Sequence, residues 1–267
     1  MLGKLMRYEW KSTYKIPSAV NLVLALATLL GCLILGMPAA SDKDTIFRLF
    51  TSVVFYSLSL SAFSMVTYIY VYIRFYKNLF SAEGYLMHTL PVTPLQLFHS
   101  KLLVGYFWLA LHTVLELAAL IALGWASGLF HQVNTRTEWK ALLQSTLGAS
   151  PWEFLPPFFG TMLTGCLTSL LIGYVSILLG QLMEKYKLGA SVGFFIAIYL
   201  VSQVATSLSV FLPSTMTALS GSPGAYGDFT LYYYRNLLYW SIIAQLILGI
   251  LLYIACLLLV RRRVNLD

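Results

Sequence analysis

The sequence predicts an all-α polytopic membrane protein. It has six transmembrane helices, an N-terminal interfacial amphipathic helix, and a short cytoplasmic helix between spans 2 and 3. Three observations carry this prediction. Of the 267 residues, 59% are hydrophobic and 10% charged, against about 25% charged in a soluble domain. Mean hydropathy is +0.77, and apolar runs long enough to cross a bilayer recur along the chain. The basic residues gather at the ends of those runs rather than in one patch, which argues against nucleic acid as the partner of a chain with net charge +7.

The first element is an amphipathic helix over residues 3–16. Lys4, Arg7, Lys11 and Lys15 recur at helical spacing on one face, and Leu2, Leu5, Met6, Trp10 and Tyr14 fill the other. A helix of this kind lies in the membrane interface, with its basic face toward anionic head groups. Pro17 is expected to end it. The same polarity, and the lack of a small-residue cleavage site after the first span, argue against a signal peptide. Six spans follow, at about 17–37, 49–73, 102–126, 157–183, 189–212 and 237–260. Each reaches the ~20 residues that ~30 Å of hydrocarbon requires. Nothing suggests a second domain, so residues 1–267 read as one transmembrane domain.

Charge sets the orientation. With the N-terminus inside, twelve basic residues fall on the cytoplasmic side, among them Arg74, Lys77, Lys101, Lys185, Lys187 and Arg261–Arg263; five fall outside. This is the positive-inside pattern. It places both termini in the cytoplasm.

The connections are unequal. Residues 127–156 form a long outer segment, with a surface helix expected near 138–147 and a second helix start at Ser150-Pro151-Trp152-Glu153. Residues 213–236 are turn-rich. Tyr232, Tyr233, Tyr234, Tyr239 and Trp240 then form an aromatic girdle. The inner link 184–188 is very tight. Cys32, Cys166 and Cys256 lie inside apolar runs without metal or disulfide spacing.

Catalytic signatures are missing. There is no phosphate-binding G-x-x-x-x-G-K-[ST] loop, no HExxH, and no nucleophile elbow, so no cofactor or metal is expected on this chain. The intramembrane acid is Glu116, fifteenth of the 25 residues of the third span and about 3 Å from its midpoint. A carboxylate there costs roughly 3 kcal/mol. His112 precedes it by one turn on the same face. The pair reads either as a polar contact in a translocation path, with or without a proton, or as a hydrogen bond between helices. Small residues line the fourth span (Thr161, Gly165, Ser169, Gly173, Ser176, Gly180) and the fifth (Gly189, Gly193, Ala197). Such stripes let helices approach closely, within one chain or, at Gly189, Gly193 and Ala197, between two subunits.

The most polar long stretch between spans is residues 75–101. Phe75, Leu79, Phe80, Leu86, Met87 and Leu90 alternate there with Lys77, Asn78, Glu83 and Gly84. Pro91 stops a helix, and Thr93-Pro94-Leu95-Gln96 starts another, with Thr93 as cap and Pro94 in the first turn. The third span's helix should therefore begin some eight residues before its apolar part. The run Glu83-Gly84-Tyr85-Leu86-Met87-His88-Thr89-Leu90-Pro91-Val92-Thr93, followed by Lys101-Leu102-Leu103, resembles the signature of type-2 ABC exporter permeases, and the six-span layout resembles that family over the whole chain. The resemblance implies that Glu83, Gly84, Tyr85, Leu86, Met87, His88 and Leu90 belong to a coupling helix docked on a separate ATPase subunit. Two ATPase copies, holding ATP and Mg, and a second permease subunit, with a homodimer favoured, would complete the transporter. The outer segment 127–156 is longer than the family pattern leads one to expect.

The expectation is thus a permease subunit that couples ATP hydrolysis on its partner to export of an amphipathic or hydrophobic substrate, with peptides or antimicrobials favoured. The alternative is an ATP-independent membrane sensor or immunity protein binding a hydrophobic peptide or lipid. An intramembrane hydrolase is disfavoured because no nucleophile–base pair is clustered.

Overall fold

The computed structural model describes residues 2–36, 42–80, 92–127, 151–183, 185–219 and 226–263. Over these residues the backbone is helical almost throughout, in seven helices: α1 (Leu2–Thr13), α2 (Lys15–Gly36), α3 (Asp42–Phe80), α4 (Pro94–Ala126), α5 (Pro151–Gly180), α6 (Lys187–Leu219) and α7 (Tyr226–Arg263). Six segments are long and apolar enough to cross a membrane: Lys15–Gly36, Phe50–Phe80, Pro94–Ala126, Leu155–Gly180, Lys187–Leu208 and Leu237–Arg261. The architecture is that of an α-helical multi-pass membrane protein.

The helices overrun the apolar runs because backbone hydrogen bonding does not stop where hydropathy does. At the first junction the amide of Tyr14 donates to the Trp10 carbonyl at 3.0 Å, and that of Ser18 to the Tyr14 carbonyl at 3.0 Å. Pro17 therefore does not end the interfacial helix. It sits in the first turn of α2, where a missing N–H costs nothing. The cap read from Thr93 is present: the Gln96 amide lies 3.4 Å from Thr93 Oγ1, and α4 begins at Pro94. The start expected near Pro151 is also present, but it is not a separate surface helix. α5 runs from it through Pro156 and Pro157 to Gly180. The segment expected at 138–147 lies outside the described residues. Much of the connection 213–236, expected to be external and turn-rich, is helical, as α6 continues to Leu219 and α7 begins at Tyr226; Tyr239 and Trp240 of the expected girdle are exposed.

The chain divides into two compact units, Met1–Asn78 with His99–Thr135 and Leu79–Phe98 with Arg136–Asp267. In the first, Thr28 of α2 and Tyr56 of α3 share a hydroxyl hydrogen bond of 2.7 Å. α2 also comes so near α4 that a Cβ on Gly31 would lie 2.9 Å from Leu123 Cδ2.

The second unit is built on α5, which packs against both α6 and α7. Residues 170–178 are buried on every side, the mark of a helix enclosed by others. The contact with α7 uses small side chains one turn apart. Cβ positions on Gly160 and Gly249 would lie 3.1 Å from Ile242 Cδ1 and 3.6 Å from Thr168 Oγ1. Between them Thr164 donates to Gln245 Oε1 at 2.6 Å, and Thr168 donates to the Gln245 carbonyl at 3.3 Å. Phe98 packs edge-on to Tyr174 at 6.3 Å and against Tyr253 at 6.4 Å. The α5–α6 turn is tight, as its length implied. Tyr186 takes a left-handed backbone with φ 57°, a conformation that costs a non-glycine residue.

Candidate functional site

α1 carries three basic residues and one acid, and the acid lies on the opposite side from the bases. At 100° per residue, Glu9 falls about 160° from the mean direction of Lys4, Arg7 and Lys11. It is turned inward and is 5% exposed. Three donors converge on its carboxylate. Arg74 Nε donates to Oε1 at 3.1 Å, Asn78 Nδ2 to the same oxygen at 3.1 Å, and Lys101 Nζ to Oε2 at 2.9 Å. Arg74 also reaches Ser12 Oγ through Nη2, and the Tyr70 hydroxyl donates to the Thr13 carbonyl at 3.2 Å.

Arg74 and Asn78 stand one turn apart near the end of α3; Lys101 is in the third turn of α4. One carboxylate thus ties α1 to the two helices that flank residues 81–91. Buried charges in such a set are tolerable because each meets opposite charge and hydrogen bonds. Packing reinforces the tie: Trp10 lies 4.6 Å from the Phe107 ring and 5.1 Å from the Trp108 ring.

Sequence reasoning identified Arg74 only as a charge at a span end and Lys101 as such a charge and as the start of the Lys101-Leu102-Leu103 run, and it did not single out Glu9. The signal was there: a lone acid on the apolar side of a basic amphipathic helix needs a partner.

A second polar set lies higher on α4. Lys101, Trp108 and His112 fall on one face of the helix, since eleven residues make almost three whole turns. His112 is 2% exposed. Its Nδ1 is 2.6 Å from Asn21 Oδ1 on α2. Its Nε2 is 3.3 Å from Glu116 Oε1, at ion-pair distance but outside hydrogen-bond geometry. Ser64 on α3 donates to Glu116 Oε1. The predicted His112–Glu116 pair is therefore brought together, and it links three helices through Asn21 and Ser64, which the sequence reading did not include. Trp108 Nε1, one turn below, is buried and finds no acceptor among the described residues.

The remaining expected site residues are not assembled by this structure. Glu83, Gly84, Tyr85, Leu86, Met87, His88 and Leu90 lie outside the described residues, although the helix ends that bracket them, Phe80 and Pro94, are described. Gly189, Gly193 and Ala197 are exposed on α6; a Cβ on Gly193 would meet nothing within 4 Å. Among the described residues, no group of three or more His, Cys, Asp or Glu side chains could hold a metal ion. Comparison of the chain with protein-family models, with curated proteins and with solved structures finds no match.

Proposed function

We propose that the chain is the membrane-spanning permease subunit of an ATP-driven ABC exporter. Its Glu83–Leu90 stretch is the coupling helix, received by a separate ATPase subunit. Tyr85, Leu86, Met87 and Leu90 provide apolar contact there, and Glu83 and His88 provide polar orientation. ATP does work by binding two arrangements of the assembly with different affinity. The resulting displacement enters the membrane through α3 and α4 and changes the exposure of a path for an amphipathic or hydrophobic substrate, between this subunit and a second, identical one. Both termini are cytoplasmic.

The observation that supports this reading is the Glu9 cluster. The ends of α3 and α4 flank the proposed coupling helix, and both are bonded to one buried carboxylate. A displacement delivered between them would move both helices, with α1, as one body.

The test is Leu86→Arg in the full transporter. Transport should be lost, ATP hydrolysis by the co-purified ATPase subunit should continue without substrate dependence, and the spans should stay folded. Normal coupled transport in that variant, or the failure of any ATPase subunit to co-purify with the native protein, would sink the assignment.

A further inference from the structure

The outer face of α1 has no use in the helix contacts described above. Lys4, Arg7, Lys11 and, just beyond the helix, Lys15 are all exposed. Among the described residues, no ion pair involves any of them. Their directions on a helical wheel lie within about 80° of one another, so four positive charges form one stripe. Tyr8 and Tyr14, both exposed, flank the stripe on its two sides. The opposite face of the same helix holds Glu9.

We propose that this stripe binds the head groups of anionic phospholipids, and that Glu9 passes the seating of α1 to the ends of α3 and α4. Two observations select lipid over another polyanion. Hydrogen bonding continues from α1 into α2 with only Tyr14 between them, so α1 is held where a membrane-crossing helix begins, at head-group depth. Tyrosine on the rims of a basic stripe is the pairing found at membrane–water interfaces. Each basic side chain near an anionic surface gains about fivefold in partition. Four together bias α1 strongly toward one seated position, and that bias reaches α3 and α4 because Arg74, Asn78 and Lys101 share the Glu9 carboxylate. The proposal stands whether or not the chain is a transporter subunit.

The experiment is amide hydrogen exchange on the full chain in nanodiscs, either phosphatidylcholine alone or phosphatidylcholine with phosphatidylglycerol. With phosphatidylglycerol, exchange should slow at least about fivefold in peptides covering 2–16 and also in peptides covering the ends of α3 and α4. The Lys4→Gln, Arg7→Gln, Lys11→Gln, Lys15→Gln variant should lose both effects, as should the native protein at ~1 M salt, where screening is nearly complete beyond ~3 Å. Glu9→Gln should keep the effect in α1 and lose it in α3 and α4. Equal exchange in the two lipid compositions would overturn the proposal and leave an acidic protein surface as the occupant of the stripe. Protection of α3 and α4 that survives Glu9→Gln would overturn the transmission through Glu9.

Discussion

Lys101 Nζ lies 2.9 Å from Glu9 Oε2, a contact between residues 92 positions apart, and both side chains are almost wholly buried. Neither charge has a reason to leave water alone. The pair is intelligible only with Arg74 and Asn78, which fill the remaining acceptor sites of the carboxylate. What the set specifies is position: it fixes which face of α1 meets α3 and α4, and so which face is left to the surroundings.

Removing the carboxylate should therefore cost more than removing the whole set. Glu9→Leu leaves Arg74 and Lys101 facing one another without their shared anion. The expected loss is about 3–5 kcal/mol, the usual consequence of stranding a buried charge. Glu9→Leu combined with Arg74→Leu and Lys101→Met should recover most of it. Thermal unfolding in detergent checks this. A triple variant no more stable than the single one would mean that shape, not charge, holds α1.

Glu116 is expected to act as a clasp between helices. In Glu116→Gln an amide oxygen in the place of Oε1 still accepts from Ser64, so stability should stay within about 1 kcal/mol of the native protein. Glu116→Leu removes the acceptor of the Ser64 hydroxyl, sets an apolar side chain against the buried His112 ring nitrogen, and should cost about 1–3 kcal/mol. Thermal midpoints separate the two. The pH profile of transport gives the second readout. An unchanged profile in Glu116→Gln fits the clasp, whereas a profile that flattens would mean that protonation of Glu116 is part of the cycle.

Gly180 is fixed by a close approach rather than by its backbone. A Cβ there would lie 2.7 Å from the backbone nitrogen of Ser191 and 2.8 Å from its Cα, and the backbone of a packed helix, here the start of α6, cannot easily retreat. Gly180→Ala should cost about 1–3 kcal/mol. Gly165→Ala is the control. Its nearest neighbour would be Gln245 Oε1 at 3.7 Å, an ordinary contact, and the helix itself gains up to about 1 kcal/mol from alanine. Unfolding midpoints should fall for the first and hold or rise for the second.

What could be read in advance divides by the range of the interaction responsible. The start of α4 at Pro94 and of α5 at Pro151 were legible because capping chemistry is local, within three residues. The His112–Glu116 pair was legible because four residues on a helix make a neighbour. The upper start of α3 at Asp42, and the passage of α5 through Pro156 and Pro157, were not, because hydropathy measures where a helix can sit in lipid and not how far it extends. Asn21, Ser64 and Gln245 were missed for another reason. Each is a single polar side chain in an apolar run, and only the folded chain shows which neighbour it serves. Glu9 sits between these cases. Its inward direction was computable from the helical wheel, but its partners, 65, 69 and 92 residues away, were not.

The small residues of α6 give the last prediction. In α5 the small residues are consumed inside the chain: Gly160, Thr164 and Thr168, one position off the stripe read from the sequence, lie against α7, and Gly180 of that stripe lies against Ser191 of α6. On α6 they are not: Gly189, Gly193 and Ala197 are exposed. A side chain at 193 starts into open space among the described residues, so Gly193→Leu should insert and unfold like the native protein. If these three residues form the seam with a second copy, close helix approach depends on their size, and the same substitution should abolish cross-linking between subunits. Cross-linking through single cysteines placed at Val192 or Ile196, with and without Gly193→Leu, measures this directly. Dimers that persist with the leucine in place would move the subunit interface to another face.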